Sequence, residues 1–334
     1  MKERKNIKLI CTIFVIGIFL FSTGLIYGGG EKKLEKAQGP KKVKVAVLLP
    51  GVISDHSWNQ FAYEGLMRAK KECGVEVAYS ENVHQAEQIE VFRNYASAGY
   101  DVIIGHGGEY TDAAETVAKE FPKVKFCITN GLIGHDNVSS FKVSYSQMSF
   151  LAGVLAGEMT KANKVAMVVA EPIPIVEEGI KSFKDGVKYA GKDTGKDIEV
   201  FVVKTGSWDD VVKAREASLS LINKGADVLF HIMDIAEVGL ISAAEDKGVY
   251  AIGLYRDSTS LGPKAIIGSA IGSPATLVYE AACGHVLNGK ANTMTVNTPR
   301  GIDILMTDLV PENIQKRVKK VVEDMRSGKL YVKP

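Results

Sequence analysis

The chain has little of what marks a catalytic or nucleic-acid-binding protein. Its 334 residues include four cysteines, two tryptophans and six histidines, and 41 Lys plus Arg against 39 Asp plus Glu leave a formal charge of +2. A balance so near neutral offers no broad basic field and no acidic tail, so no nucleic-acid partner is expected and the ligand should be small. The cysteines form no CxxC, and His56, His84, His106, His135, His231 and His285 show no paired metal-ligand spacing, so no metal or other cofactor is expected. GxSxG and HExxH are absent, and no nucleophile stands beside a base. Glu177-Glu178 and Asp209-Asp210 read as helix openings favoured by the macrodipole, without an acid/base role. The chain reads as a binding protein, not an enzyme.

The long apolar run is confined to the amino terminus. Met1, Lys2, Arg4, Lys5 and Lys8 precede a largely apolar stretch from Leu9 to Tyr27, the pattern of an export signal over residues 1–30. The run is also about as long as a thin bilayer span of roughly 17 residues, so a retained membrane anchor is the alternative to cleavage. Cys11 sits at the front of the run instead of behind it, which argues against lipid anchoring. Glu31 to Lys42 is charged and unpatterned, a flexible tether. The folded part is therefore expected outside the cytoplasm, in a periplasm or at the cell surface. Cys73, Cys127 and Cys283 are expected to be buried thiols, with a single disulfide left open in an oxidising compartment.

From Val43 onward, short Val- and Ile-rich runs alternate with segments of helical spacing such as Ala62, Leu66 and Ala69. This predicts an α/β fold of helix-covered parallel sheets. The alternation restarts after a long helix predicted over Ser149 to Lys161, so two doubly wound lobes are expected in place of one barrel. Pauses near Val143 to Ser146, Ile266 to Ser273 and Thr298 to Ile304 are candidate crossings of a hinge. The first lobe is expected over 43–144 plus about 268–300, the second over 145–267 plus about 301–334.

Ligands of open α/β sheets bind at the carboxyl ends of the strands. There the loop SDHSWNQ gathers Asp55, Ser57, Trp58 and Asn59, and TGSWDD places Trp208 after a strand of the second lobe. Two flat rings on facing lobes would clamp a planar ligand. The alternatives are a helix cap at Ser57 or Asp55 with Trp58 as core, and a cap at Asp209-Asp210 covered by Trp208. Further strand ends add His106, Gly107 and Glu109 in IIGHGGEYTD, Asp234 in FHIMDIAEVG, and Arg256 with Asp257 in AIGLYRDS. A surface ion pair is the alternative for the last two. GHGGE lacks the spacing and the Lys-Ser/Thr of a phosphate loop.

These residues resemble the basic membrane protein family of extracytoplasmic solute-binding proteins, which includes purine nucleoside receptors of ABC importers. The resemblance runs from VAVLLPG and DHSWNQFAYEGL through SFLAGVLAGEMTKANKVAMV and EDKGVYAIGLYRDS to TLVYEAACGHVLNGK. It implies a type I periplasmic binding protein fold, two lobes joined by three crossings, and delivery of ligand to the transmembrane subunits of an ABC permease. By resemblance, Trp58 and Trp208 stand where relatives sandwich a purine between Phe rings, Asn59 and the GHGGE loop face the base and sugar, and Asp257 matches an acidic position of the family. Tyr255, Gly272-Ser273 and Asp234-Ile235-Ala236-Glu237 depart from the family at positions that hold ribose. A free purine base or another flat heterocycle is therefore an expected ligand beside a nucleoside, with Asp234 and Arg256 supplying polar contacts. A monomer is expected. The rival readings are a sugar or signalling-molecule receptor of the same fold, a transcription-linked sensor, for which a further signalling segment would be expected, and a nucleoside-processing hydrolase.

Overall fold

Val45 to Leu48 are buried on both faces, which an apolar strand achieves only between two helical layers. The computed structural model describes residues 42–334, His56 excepted, so the expected export signal and the tether before Lys42 lie outside the described residues. Everything described belongs to one compact unit, Lys42–Pro334.

Among the described residues the strands build two six-stranded sheets. In the first, β1 (Lys44–Leu48), β2 (Glu76–Ser80), β3 (Val102–His106), β4 (Lys125–Thr129), β5 (Val138–Val143) and β11 (Ala291–Met294) run in the order β11-β5-β4-β3-β1-β2, with parallel pairing throughout. In the second, β6 (Lys164–Val169), β7 (Glu199–Lys204), β8 (Val228–Ile232), β9 (Tyr250–Tyr255), β10 (Ile266–Ile271) and β12 (Asp303–Met306) follow the order β12-β10-β9-β8-β6-β7. Here β12 is an antiparallel edge, which the sequence did not lead us to expect. β10 stays in the second sheet through Ile271, past the boundary drawn at about 268. The chain changes sheet after β5, after β10 and between β11 and β12, which gives the three crossings.

Helix α4 (Tyr145–Met159) opens the second lobe, earlier than the predicted Ser149, because the Ser144 hydroxyl caps it by accepting from the Gln147 N–H at 3.2 Å. It is buried along its whole length and packs on α5 (Pro174–Thr194). The two helices approach through glycines: a Cβ on Gly153 would lie 2.2 Å from the Phe183 carbonyl oxygen, and one on Gly186 equally close to that of Phe150.

The cysteine expectation is corrected. Helices α1 (Trp58–Glu72) and α8 (Pro274–Ala282) pack side by side in the first lobe and end at Cys73 and Cys283, which are joined by a disulfide with Cα atoms 5.8 Å apart. The partners are 210 residues apart in sequence, and only the second crossing, which returns the chain to the first lobe, brings them together. Cys127 is the buried free thiol expected, and burial raises its pKa to about 12.

Candidate functional site

β1 lies between β2 and β3, and β6 between β7 and β8, so each sheet reverses its strand order beside its first strand. Loops leaving the two switch points diverge, and there the lobes enclose a cleft of about 460 Å³. The first lobe contributes Pro50, Trp58, Gly107, Gly108, Glu109 and Asn130; Tyr145, Ile173, Ile175, Trp208, Asp234 and Tyr255 complete it.

Trp58 is the first residue of α1 and is held from behind. Its indole N–H donates to the His106 carbonyl at 3.3 Å, and its ring stacks on the His106 imidazole with centroids 4.1 Å apart and planes 23° from parallel. His106 is fully buried. Its Nε2 lies 3.0 Å from the Trp58 carbonyl, which can only accept, so Nε2 carries the proton and Nδ1 accepts from the Thr129 hydroxyl at 2.9 Å. Burial depresses the His106 pKa to about 3, against the pull of the Trp58 carbonyl and the Asp55 charge, which keeps the imidazole neutral. His106 thus backs a stacking ring and does not line the cleft.

Asp55 and Asn59 build the turn that aims Trp58. The Asp55 carboxylate accepts from the N–H groups of Ser57, Asn59 and Gln60 at 2.9–3.0 Å and from the Asn59 carboxamide at 2.7 Å, while Asn59 Oδ1 accepts from the Gly51 N–H at 3.1 Å. The capping alternative describes Asp55, then, and not Trp58. Ser57, buried in this turn, faces Asp234 of the second lobe and works to lower its pKa.

In the second lobe the Trp208 carbonyl accepts from the N–H groups of Asp234 at 3.1 Å and Ala236 at 3.2 Å, tying the loop after β7 to the loop after β8. Asp210 caps α6 (Val211–Asn223) by accepting from the Lys213 N–H at 2.9 Å, which leaves the Trp208 ring for the cleft. Gly107 adopts φ 142°, open only to glycine, and the Glu109 carboxylate folds back over it, so that a Cβ on Gly107 would meet Glu109 Oε2 at 2.2 Å. Loss of water around it there raises the Glu109 pKa.

Arg256 and Asp257 do not join the lining. The Arg256 guanidinium lies 4.9 Å from the centre of the Phe61 ring, and the exposed Asp257 carboxylate accepts from the Thr259 N–H and hydroxyl, which lowers its pKa. The reason is local: Tyr255 takes φ 68°, a left-handed turn at the end of β9 that sends its own ring into the cleft and the next residues away. Tyr255 shares a short hydroxyl hydrogen bond with Tyr145, whose hydroxyl also faces Asn130, so polar groups of both lobes meet on the floor of the cleft. Tyr145, Asn130, Ile173 and Ile175 were not singled out in the sequence. Their position directly after strand ends and at helix starts was the available signal.

The cleft therefore offers two indoles, an apolar wall, hydroxyl and amide groups, and the carboxylates of Glu109 and Asp234. Among the described residues that line it none is basic. Such a lining suits a flat, neutral or cationic ligand with N–H donors and disfavours a phosphate.

The family described as ABC transporter substrate-binding protein, PnrA-like, matches residues 42–329. The chain belongs to this family. Substrate-binding proteins of this family take small-molecule ligands and work with ABC permeases outside the cytoplasm. Basic membrane protein B of Borreliella burgdorferi is 30% identical over 293 residues, 83% of this chain and 81% of that protein. Transcriptional activator protein med of Bacillus subtilis is 28% identical over 310 residues, 92% of this chain and 95% of that protein. A purine-binding protein of Brucella abortus is 26% identical over 314 residues, 92% of this chain and 86% of that one. The fold is shared with a solved ABC transporter solute-binding protein of Aeropyrum pernix, at a TM-score of 0.74 and 20% identity over 87% of this chain and 94% of that one. The expected family and the two-lobed type I binding-protein fold are thereby established. Among the described residues no helix is long and apolar enough to cross a membrane.

Proposed function

We propose that this solute-binding protein binds a planar purine-type ligand, a nucleobase or nucleoside, between Trp58 and Trp208 and presents it, as a monomer outside the cytoplasmic membrane, to an ABC permease. The observation that carries the reading is the pair of indole rings, one from each lobe, lining the same cleft. A base between two rings gains roughly 1–3 kcal/mol per stacking face. In this reading Gly107, Glu109 and Asp234 meet the polar edge of the ligand, Ser57 bridges the lobes, and His106, Asp55 and Asn59 hold Trp58 in place. Arg256 and Asp257 lie outside the lining, and without Asp257 the ribose has lost one expected partner, which favours the free base over the nucleoside. Both lobes touch the ligand together only when closed, so its binding shifts the population toward closure, the shape a permease can read.

The test is a thermal-shift panel on the full chain, purified in detergent, with purine bases, nucleosides, pyrimidines and sugars. A ligand at a hundred times its Kd adds about 2.7 kcal/mol to apparent stability. Shifts with purines and none with sugars are expected; a sugar-only response removes the ligand class and leaves the binding role. A second reading has one observation behind it, the similarity to a transcriptional activator over nearly the whole chain. In that reading the same cleft senses its ligand, and deletion of the gene would change transcription while leaving purine uptake intact.

A further inference from the structure

Asp234 occupies a singular place in the cleft, and the role inferred for it rests on the purine reading of that cleft. Its backbone N–H donates to the Trp208 carbonyl at 3.1 Å, and the residue lines the same cleft as Trp58 and Trp208. The groups facing it come from both lobes. Asp209 follows β7, Glu237 opens α7 (Glu237–Lys247), and Asp55 and the Ser57 hydroxyl come from the opposite lobe. The hydroxyls of Tyr145 and Tyr255 lie within reach of its charge on the floor. Arg256 lies over Phe61, and the buried His231 stands 3.3 Å from the Glu237 carboxylate. A half-buried carboxyl set among three others, in a cleft with no basic group in the described lining, holds its proton unusually well. Burial first, then the charges of Asp209, Asp55 and Glu237, push its pKa up to about 7, against the lowering effect of Ser57.

We propose that Asp234 is the specificity-determining residue of this cleft and that its proton decides which purine edge is accepted. As a carboxylic acid it presents one O–H donor beside one carbonyl acceptor, which complements a ring nitrogen next to an amino N–H, the edge of adenine. As a carboxylate it presents two acceptors, which complement two adjacent N–H donors, the edge of guanine. The mismatched edge leaves a buried donor or acceptor unpaired, and sites built on hydrogen bonds discriminate strongly against that. The receptor thus changes preference across neutral pH without moving its backbone.

Tryptophan-fluorescence titrations of the full chain in detergent, with adenine and with guanine at pH 6, 7 and 8, test this. The competent fraction for each edge changes by about tenfold between pH 6 and 8, because apparent Kd scales inversely with that fraction. Adenine is expected to weaken about tenfold and guanine to tighten about tenfold, roughly a hundredfold inversion of their ratio. Asp234→Asn, whose amide keeps one donor and one acceptor, should bind adenine without pH dependence and lose guanine. A ratio that stays constant from pH 6 to 8, or an Asp234→Asn protein that keeps the wild-type pH response, overturns the inference and leaves purine binding in place. Failure of both purines to bind at every pH, with another compound binding, removes the purine reading and this inference together.

Discussion

A buried imidazole and a half-buried carboxyl at the cleft should give the protein opposing pH dependences that nearly cancel, and Asp234→Asn should uncouple them. Asp234 has its pKa raised from 3.8 to about 7, so between those values the folded state holds a proton that the unfolded chain releases. Its contribution is present below pH 3.8 and is lost as pH rises to 7, about 4 kcal/mol in all at 1.36 kcal/mol per unit. His106 has its pKa lowered from 6.5 to about 3, so over almost the same interval the unfolded chain binds a proton that the folded state refuses. Its contribution is present above pH 6.5 and is lost as pH falls toward 3, about 5 kcal/mol. The wild-type contributions from these two groups therefore offset each other between about pH 4 and 6.5. Replacing Asp234 by Asn removes one slope. The difference in unfolding free energy between variant and wild type, measured by urea denaturation at half-unit steps from about pH 4.5 to 7.5, should rise in favour of the variant by about 1.4 kcal/mol per pH unit and level off above about pH 7. Titrating groups that do not interact with Asp234 subtract out of that difference. A difference that stays constant across the range would refute the reasoning, because it would mean that Asp234 carries the same charge in the folded and unfolded chains.

Trp208→Ala should weaken the best purine ligand by roughly 1–3 kcal/mol, about 5- to 150-fold in Kd by isothermal titration calorimetry, and leave the unfolding midpoint within a few degrees. Replacing Cys73 and Cys283 together by Ser frees a 210-residue loop in the unfolded chain, worth about 5 kcal/mol by loop entropy. Calorimetry should show a melting temperature several degrees lower with an unchanged purine Kd, since the bond joins the ends of α1 and α8 and Trp58 stands at the opposite end of α1. Gly153→Val would drive a branched side chain against the Phe183 carbonyl, and a loss of roughly 1–3 kcal/mol should appear in chemical denaturation.

The lobes were legible because buried parallel strands must be apolar on both faces, as Val45 to Leu48 are, and because turn chemistry punctuates them. The two tryptophans were legible for a related reason: a large ring immediately after a strand end has only the cleft or a helix shoulder to occupy. Asp55 and Asn59 were assigned to the ligand because a cap and a contact use the same polar residue types, and only the bond pattern separates them. Arg256 and Asp257 were misplaced by one backbone angle, the left-handed φ at Tyr255, which no propensity for tyrosine announces. The disulfide depends on the chain returning to the first lobe after β10, and sequence spacing holds no trace of that distance.

The same crossings explain how the cleft can work. The Trp58 ring is held to the first lobe by His106, and the Trp208 backbone to the second by its bonds to Asp234 and Ala236, so each indole is carried by its own lobe. Movement between the lobes has to be taken up at the three crossings, and the second of these is short: β10 ends at Ile271 and α8 begins at Pro274, its Ser273 hydroxyl accepting from the Ala275 N–H at 3.2 Å. A Cβ on Gly272 would lie 2.3 Å from the Met148 sulfur, so the crossing runs tight against the start of α4. In the proposed reading, rings carried by opposite lobes and a compact hinge behind them would convert ligand contact into one coordinate, the angle between lobes. At the cleft Ser57 faces Asp234, and Asn130 faces Tyr145, across that coordinate. In the proposed reading the first of these pairs includes the carboxyl whose proton selects the ligand, so closure and protonation would be coupled through a single side chain, and each would shift the other by the same free energy.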